Sequence, residues 1–278
     1  MNTEKTFSFE LFPPKTEKGM ANLQETVRRL NERRPAFFSC TYGAGGSTRD
    51  RTFATVDWLV SQGIETAPHL TCIGLSVAEA LQILDRYRRQ GIRRIVALRG
   101  DPPSGTGLAG GEMRHASELV QLIREHHGDH FHIEVAAYPE MHPQAPNFFA
   151  DLDHFKEKMA AGANSAITQY FYNVDAYTHF IDQCLARGME APVVPGIMPI
   201  TNYGNLARFS DACGAEIPRW IRKRLESYAD DVESIRAFGL DVVTELCEKL
   251  LAAGAPGLHF YTMNQADPTL SIWDRLGL

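Results

Sequence analysis

No stretch of 18 apolar residues occurs, and no signal-type hydrophobic segment: Met1-Asn2-Thr3-Glu4-Lys5 passes straight into strand-like sequence. A membrane partner is therefore not expected, and the chain reads as cytoplasmic. Cysteine is sparse. Cys40, Cys72, Cys184, Cys213 and Cys247 are far apart, odd in number and form no C-x-x-C pair, which argues against a disulfide scaffold and for free thiols in a reducing compartment. An excess of positive charge is also missing. The formal net charge of −6 argues against nucleic acid as a partner, and the basic cluster Arg86, Arg88, Arg89, Arg93 and Arg94 reads as a solvated face. No G-x-G-x-x-G follows the first strand, which disfavours an open dinucleotide-binding sheet. The glycine-rich Gly43-Ala44-Gly45-Gly46-Ser47 lacks the Lys-Ser/Thr that completes a phosphate loop. No metal is expected: His126, His127, His130 and His132 cluster in sequence, but adjacent histidines do not share a helix face, and they read as solvated. No linker composition interrupts residues 1–278, which read as one domain.

What is present is a regular alternation. Residues 6–12, 36–40, 66–71, 95–98, 133–137, 165–168, 193–198 and 258–262 have the apolar or alternating character of strands. Between them, residues 20–30, 50–60, 77–89, 116–125, 148–161 and 176–186 carry helical spacing. Further helical segments fill residues 206–251, where Ile217-Pro218 opens an extra helix between strands seven and eight, and only a short tail is expected after strand eight. Strands separated by helices must run parallel, and eight such units in 278 residues predict an α/β (β/α)₈ barrel.

In such a barrel the ends of the strands converge on one mouth, where ligands bind. The residues there are Glu10, Thr41, His69, Asp101, Tyr138, Gln169, Asn202, Tyr261 and Asn264. So many hydrogen-bonding groups around one rim point to a polar, multi-ring ligand. Asp101 follows the strand of residues 95–98 and precedes Pro102-Pro103, which allow neither a helix turn nor further pairing; it reads equally as a ligand contact or as a salt-bridged turn. Glu10 lies between Phe9 and Leu11 in an aromatic strand, where desolvation would suit a general acid, the alternative being a buried ion pair. His69 read alone suits a core histidine bonded to backbone.

Taken together, the motifs resemble the 5,10-methylenetetrahydrofolate reductase family. They include Phe7-Ser8-Phe9-Glu10 with Pro13-Pro14, Thr41-Tyr42-Gly43-Ala44, Ala67-Pro68-His69-Leu70-Thr71-Cys72 and Ala97-Leu98-Arg99-Gly100-Asp101. Ala136-Ala137-Tyr138-Pro139-Glu140, His142-Pro143, Ile167-Thr168-Gln169 and His259-Phe260-Tyr261-Thr262 follow in order. The resemblance implies a homo-oligomeric FAD enzyme that takes hydride from NADH or NADPH and reduces methylenetetrahydrofolate to 5-methyltetrahydrofolate, a methyl source for methionine synthesis. It implies Glu10 as general acid toward the folate N10 and Asp101 as the charge beside flavin and pterin. Thr41, Tyr42, Ala44, His69, Arg99, Gly100, Asp101, Ala116, Tyr138, His142, Asp151 and Lys158 match FAD-contacting positions, and Gln169, Phe209 and Tyr261 match folate-contacting ones.

The pattern is broken at several places. Gln265 stands where the family pattern has arginine and Asn205 where it has glutamine, and His115, His154 and Glu157 replace residues that face the FAD. These changes keep two rivals open: a flavin-independent or altered-substrate folate reductase, and a folate-binding subunit without turnover. Retention of both Glu10 and Asp101 counts against the second, since binding alone needs no acid in strand one.

Overall fold

The structure, a computed structural model, describes residues 5–42, 49–100 and 111–278. The strands are β1 (Thr6–Leu11), β2 (Phe37–Cys40), β3 (Thr66–Thr71), β4 (Arg94–Leu98), β5 (His132–Ala137), β6 (Ser165–Thr168), β7 (Val193–Val194), β8 (Gly196–Ile197) and β9 (Gly257–Tyr261). The helices are α1 (Glu17–Asn31), α2 (Arg49–Ser61), α3 (Val77–Arg89), α4 (Ala116–His127), α5 (Phe148–Ala160), α6 (Val174–Leu185), α7 (Tyr203–Cys213), α8 (Arg219–Ser227), α9 (Val232–Ala252) and α10 (Ala266–Leu276). Every strand pair is parallel, in the order β7-β6-β5-β4-β3-β2-β1-β9-β8.

The seventh strand is broken rather than continuous over 193–198. Pro195 has no N–H to give to a ladder and separates β7 from β8, while its carbonyl still accepts from His259 N at 3.0 Å. One half pairs with β6 and the other with β9, and through this strand the sheet closes into the expected (β/α)₈ barrel. The extra helix after Pro218 is α8. The tail after the last strand is a full helix, α10, which buries Ala266, Thr269, Ile272 and Trp273 at helical spacing and completes the eighth unit.

Local sequence sets where the helices start. Thr16 caps α1 by accepting from Gly19 N at 3.0 Å, and α3 opens on a reciprocal capping box of Ser76 and Glu79. Their buried faces recur every three to four residues, as Leu23, Val27 and Leu30 in α1 and Ala80, Ile83, Leu84 and Tyr87 in α3.

A strand has a side-chain period of two, and this divides the core into an outer and an inner part. On the outer side Phe9 meets Phe38 and Trp273, each at 5.5 Å between ring centroids, and Phe260 at 5.9 Å. On the inner side a small separate cluster of Phe37, Ala67, Val96 and Ile167, with Leu98 against it, fills the barrel's middle. Below this cluster Arg94 pairs with buried Glu134 and lies 4.5 Å over the Phe37 ring, while Ser165 Oγ donates to Glu134 Oε2 at 2.7 Å. Burial alone would push the Glu134 carboxyl up, but His132, Arg94 and Ser165 together hold it below the ordinary range. The lower end is thus plugged among the described residues, and the barrel's cleft opens at the strands' C-terminal end.

Because Phe9 is fully buried against three aromatic rings, Phe9→Ala is expected to lower unfolding free energy by about 3–5 kcal/mol in urea titrations. A loss under about 1 kcal/mol would show that the helix layer can collapse into the space.

Candidate active site

The same alternation corrects the expected surroundings of Glu10. Phe9 and Leu11 face the helices, whereas Glu10 points into the barrel and meets histidines. Its Oε2 lies 3.4 Å from His69 Nε2 and 3.7 Å from His259 Nε2. His259 is fully buried, its Nδ1 2.7 Å from Ser8 Oγ and its Nε2 3.4 Å from Ser39 Oγ. Burial holds the His69 imidazole below its ordinary pKa; Glu10 works against this shift and His259 with it. His69 is therefore no backbone-bonded core histidine: it faces the open end beside an acid.

Above Glu10 the mouth encloses about 510 Å³. Thr41, Tyr42, His69, Gly100, Tyr138, His142, Gln169, Phe209 and Tyr261 all line it. A second hollow of about 270 Å³ runs outward between α4 and α5 and is lined by Arg99, Ala116, Asp151 and Lys158. Leu98, Gly100, Ala136, Tyr138, His142 and Gln144 border both hollows, so the two form one elongated cleft. Of the expected mouth and cofactor residues among those described, all but Asn202 and Asn264 lie along it; Ala44 and Asp101 fall outside the described residues. Asn202 and Asn264 do not belong to the mouth. Asn202 caps α7, accepting from Asn205 N at 2.8 Å, and Asn264 holds the backbone of Phe12 on both sides, at 3.1 and 2.8 Å.

Several wall residues are fixed by the protein in ways that decide what they can offer. Gly100 has φ +80, and a Cβ there would stand 2.7 Å from Thr71 Cβ, so the crossing of cleft and strand needs glycine. Gly196 lies under the Tyr261 ring, where a Cβ would come within 2.5 Å of Cε2. The Tyr261 hydroxyl donates to Thr168 O at 2.7 Å and leaves the ring for the mouth. Gln169 Oε1 accepts from Tyr170 N at 3.0 Å, so its NH₂ is the group left to offer. Asp151 Oδ2 accepts from His142 N at 2.8 Å and sets the loop after β5, on which the Tyr138 and His142 rings meet edge to face at 4.7 Å. The same loop is tied to the stretch after α7, where Glu140 Oε2 accepts from Glu216 N at 2.7 Å; burial pushes the Glu140 carboxyl up to about 7. This tie and the 3.0 Å contact of Tyr170 Oη with Ser210 Oγ hold α7, and with it Phe209, over the mouth.

Tyr42, His69 and Thr71 line the mouth, and each keeps one buried side-chain polar atom, Tyr42 Oη, His69 Nε2 and Thr71 Oγ1, with no hydrogen-bond partner among the described residues. Each such atom costs about 1–3 kcal/mol of stability while it is unsatisfied. The outer hollow has a different character. Arg99 and Lys158 line it together with Ala116 and Ser117 of the first turn of α4, where backbone N–H groups lack intrahelical partners, and this suits an anion. Asp151 and Glu157 bring acid into the same space, and His115 faces His154 at 6.5 Å between ring centroids.

Thr71 was not singled out from sequence, although the period running from Ala67 through His69 would have turned it inward. Gln144, Met198 and Cys213 also line the mouth: Gln144 lies in a loop, and Met198 and Cys213 stand at the ends of a strand-like and a helical segment. The four histidines near β5 are not uniformly solvated. His126 is exposed, but His127 is buried with its ring 5.4 Å from Phe131, His130 stands edge-on to Phe131 at 4.6 Å, and His132 belongs to the lower plug. Among the described residues no helix is long and apolar enough to cross a membrane.

A closed parallel barrel with an acid–histidine cluster under a polar mouth defines an enzyme of the (β/α)₈ class, acting at the C-terminal ends of its strands. The sequence model of the family described as Methylenetetrahydrofolate reductase matches residues 1–277. The 5,10-methylenetetrahydrofolate reductase of Escherichia coli (strain K12) is 40% identical over 272 residues, covering 98% of this chain and 90% of that protein. Methylenetetrahydrofolate reductase (NADH) 1 of Arabidopsis thaliana is 39% identical over 288 residues, 99% of this chain but 49% of that protein, so the chain spans about half of the plant relative. Among solved structures, a Clostridium thermocellum protein described as binding two copies of 5-methyl-5,6,7,8-tetrahydrofolic acid shares the fold, with a TM-score of 0.68 at 18% identity over 98% of this chain and 94% of that one. The chain belongs to the methylenetetrahydrofolate reductase family and is an oxidoreductase acting on a folate.

Lys158 donates to Ala136 O at 2.5 Å, and burial lowers its pKa from the ordinary 10.5 to about 8, with Asp151 opposing. Between these values the unfolded chain binds more protons than the folded one, so Lys158 makes stability rise with pH from about 8 to 10.5. Lys158→Met is expected to flatten that rise in thermal melts of the ligand-free protein and to raise the melting temperature at pH 7. A melting profile against pH identical to that of the parent would contradict the buried-cation reading.

Proposed function

We propose that the chain reduces 5,10-methylenetetrahydrofolate to 5-methyltetrahydrofolate with FAD as resident cofactor and NADH or NADPH as reductant, the two substrates taking turns at one mouth. The observation that carries this reading is the cleft itself. Its inner part is lined by Glu10, Thr41, His69, Tyr138, Gln169 and Tyr261 and its outer part offers cations and a helix start, a division that suits a ring system joined to a diphosphate. The chemistry that bound FAD supplies is hydride carriage between the nicotinamide and the folate. Lys158, Arg99 and the first turn of α4 would hold its phosphates, and Thr41, Tyr42, His69, Gly100, Tyr138 and His142 its rings. NADH as reductant is supported by the name of the Arabidopsis relative.

Glu10 acts as the general acid. Its proton goes to the folate N10, the five-membered ring opens, and the methylene carbon becomes an electrophile on a cationic nitrogen. His69 at 3.4 Å and His259 at 3.7 Å orient the carboxyl, and His259 is itself held by Ser8. Asp101, outside the described residues, would supply the negative charge that answers the cation. Gln169 offers its NH₂ to the pterin, and Phe209 and Tyr261 offer ring faces to folate or nicotinamide in turn.

Glu10→Gln is the direct test, by anaerobic stopped-flow of the two half-reactions separately. Reduction of the flavin by NADH should stay within about threefold of the parent, while the folate half-reaction falls by a factor of about 10² or more. Equal loss in both half-reactions would remove Glu10 from the acid role.

A further inference from the structure

Two stretches of chain that wall the mouth come from different parts of the barrel. The loop after β5 carries Tyr138 and His142, and α7 carries Phe209 and Cys213. They meet beside the mouth in a junction with about 10 Å³ of free space, where residues 138–141 lie against residues 213–215. Tyr138, Gln169, Tyr170 and Cys213 line both the mouth and this junction, so the two are continuous. The fit is close. Gly214 ends α7 at φ 75, and a Cβ there would stand 2.8 Å from Pro143 Cγ.

Glu140 fastens the junction. It does not itself line the mouth, but its Oε2 accepts from the backbone N–H of Glu216, beyond the end of α7, at 2.7 Å. No lysine or arginine lines the junction among the described residues, so a backbone N–H answers the carboxylate. The neighbouring Met141 stands at φ 129, a conformation that residues other than glycine rarely adopt and that persists only where its surroundings force it. Here it is forced from both sides: Glu140 is bound to the chain beyond α7, and His142 N donates to Asp151 Oδ2 at 2.8 Å. Loss of the Glu140 bond would free this turn to relax and carry His142 away from the wall that α7 provides.

We propose that Glu140 is a positioning residue for both substrates: its bond to the chain beyond α7 joins the wall of Tyr138 and His142 to the wall of Phe209, so that the two act as one binding surface. The inference rests on the reading above, in which folate and nicotinamide take turns at this mouth. Glu140 touches neither; it acts through the two walls.

The test is steady-state kinetics of FAD-loaded variants, with flavin content measured alongside. Glu140→Ala should raise KM for methylenetetrahydrofolate and for NADH about tenfold, with kcat and flavin content within about threefold of the parent. Glu140→Gln, which keeps an acceptor, should restore most of the loss, whereas Glu140→Asp, one methylene too short, should behave like the alanine variant. If Glu140 acts through Phe209, adding Glu140→Ala to Phe209→Ala should raise KM by less than about twofold. Parent-like KM values in Glu140→Ala or Glu140→Asp, equal losses in the alanine and glutamine variants, or a full tenfold increase on top of Phe209→Ala would overturn the proposal while leaving the mouth's function standing. A parent protein that turns over neither substrate would overturn the two together.

Discussion

Every second side chain of a barrel strand is committed to an interior that only a few residues can fill, and in this chain that space is divided by height. An ion pair of Arg94 and Glu134 occupies the bottom, a small apolar cluster the middle, and the acid Glu10 with two histidines the top. The order follows from strand register. Ser8 and Glu10 of β1 lie beside His259 and Tyr261 of β9, and Glu10 lies beside Ser39 of β2. A slip of one residue in any of these pairings would turn Glu10 toward the helices and Phe9 toward the mouth. The aromatic contacts of Phe9 with Phe38, Phe260 and Trp273 thus guard the chemistry as well as the core.

The cleft spends stability on ligand readiness. Lys158 is buried at the expense of its charge, His69 is held toward neutrality, and the hydroxyls of Tyr42 and Thr71 lack partners among the described residues. Such groups are individually unfavourable for folding. Binding and folding are therefore linked: whatever satisfies the cleft also raises stability.

The barrel was legible because its signal is repetitive. Eight alternations of strand and helix leave few topologies, and one misread element does not change the answer. What escaped was local. Pro195 splits a strand whose apolar sequence runs on, and α10 looked like a tail because its buried face is made of Ala266, Thr269, Ile272 and Trp273 rather than a leucine-rich stripe. At the site, Glu10 and His69 could be placed by strand period, but their mutual distance depends on neighbours far apart in sequence. Asn202 and Asn264 carried the right residue type at the right end and proved to be backbone fasteners.

The central claim is that one mouth serves both a nicotinamide and a folate through a bound flavin. An anaerobic visible spectrum of the purified protein tests it most directly, recorded alone, after NADH, and after methylenetetrahydrofolate. The account predicts a band near 450 nm, roughly where oxidised flavins absorb, that bleaches with NADH and returns with the folate. A colourless protein that FAD cannot reconstitute, or a flavin that NADH reduces but the folate leaves reduced, would contradict it.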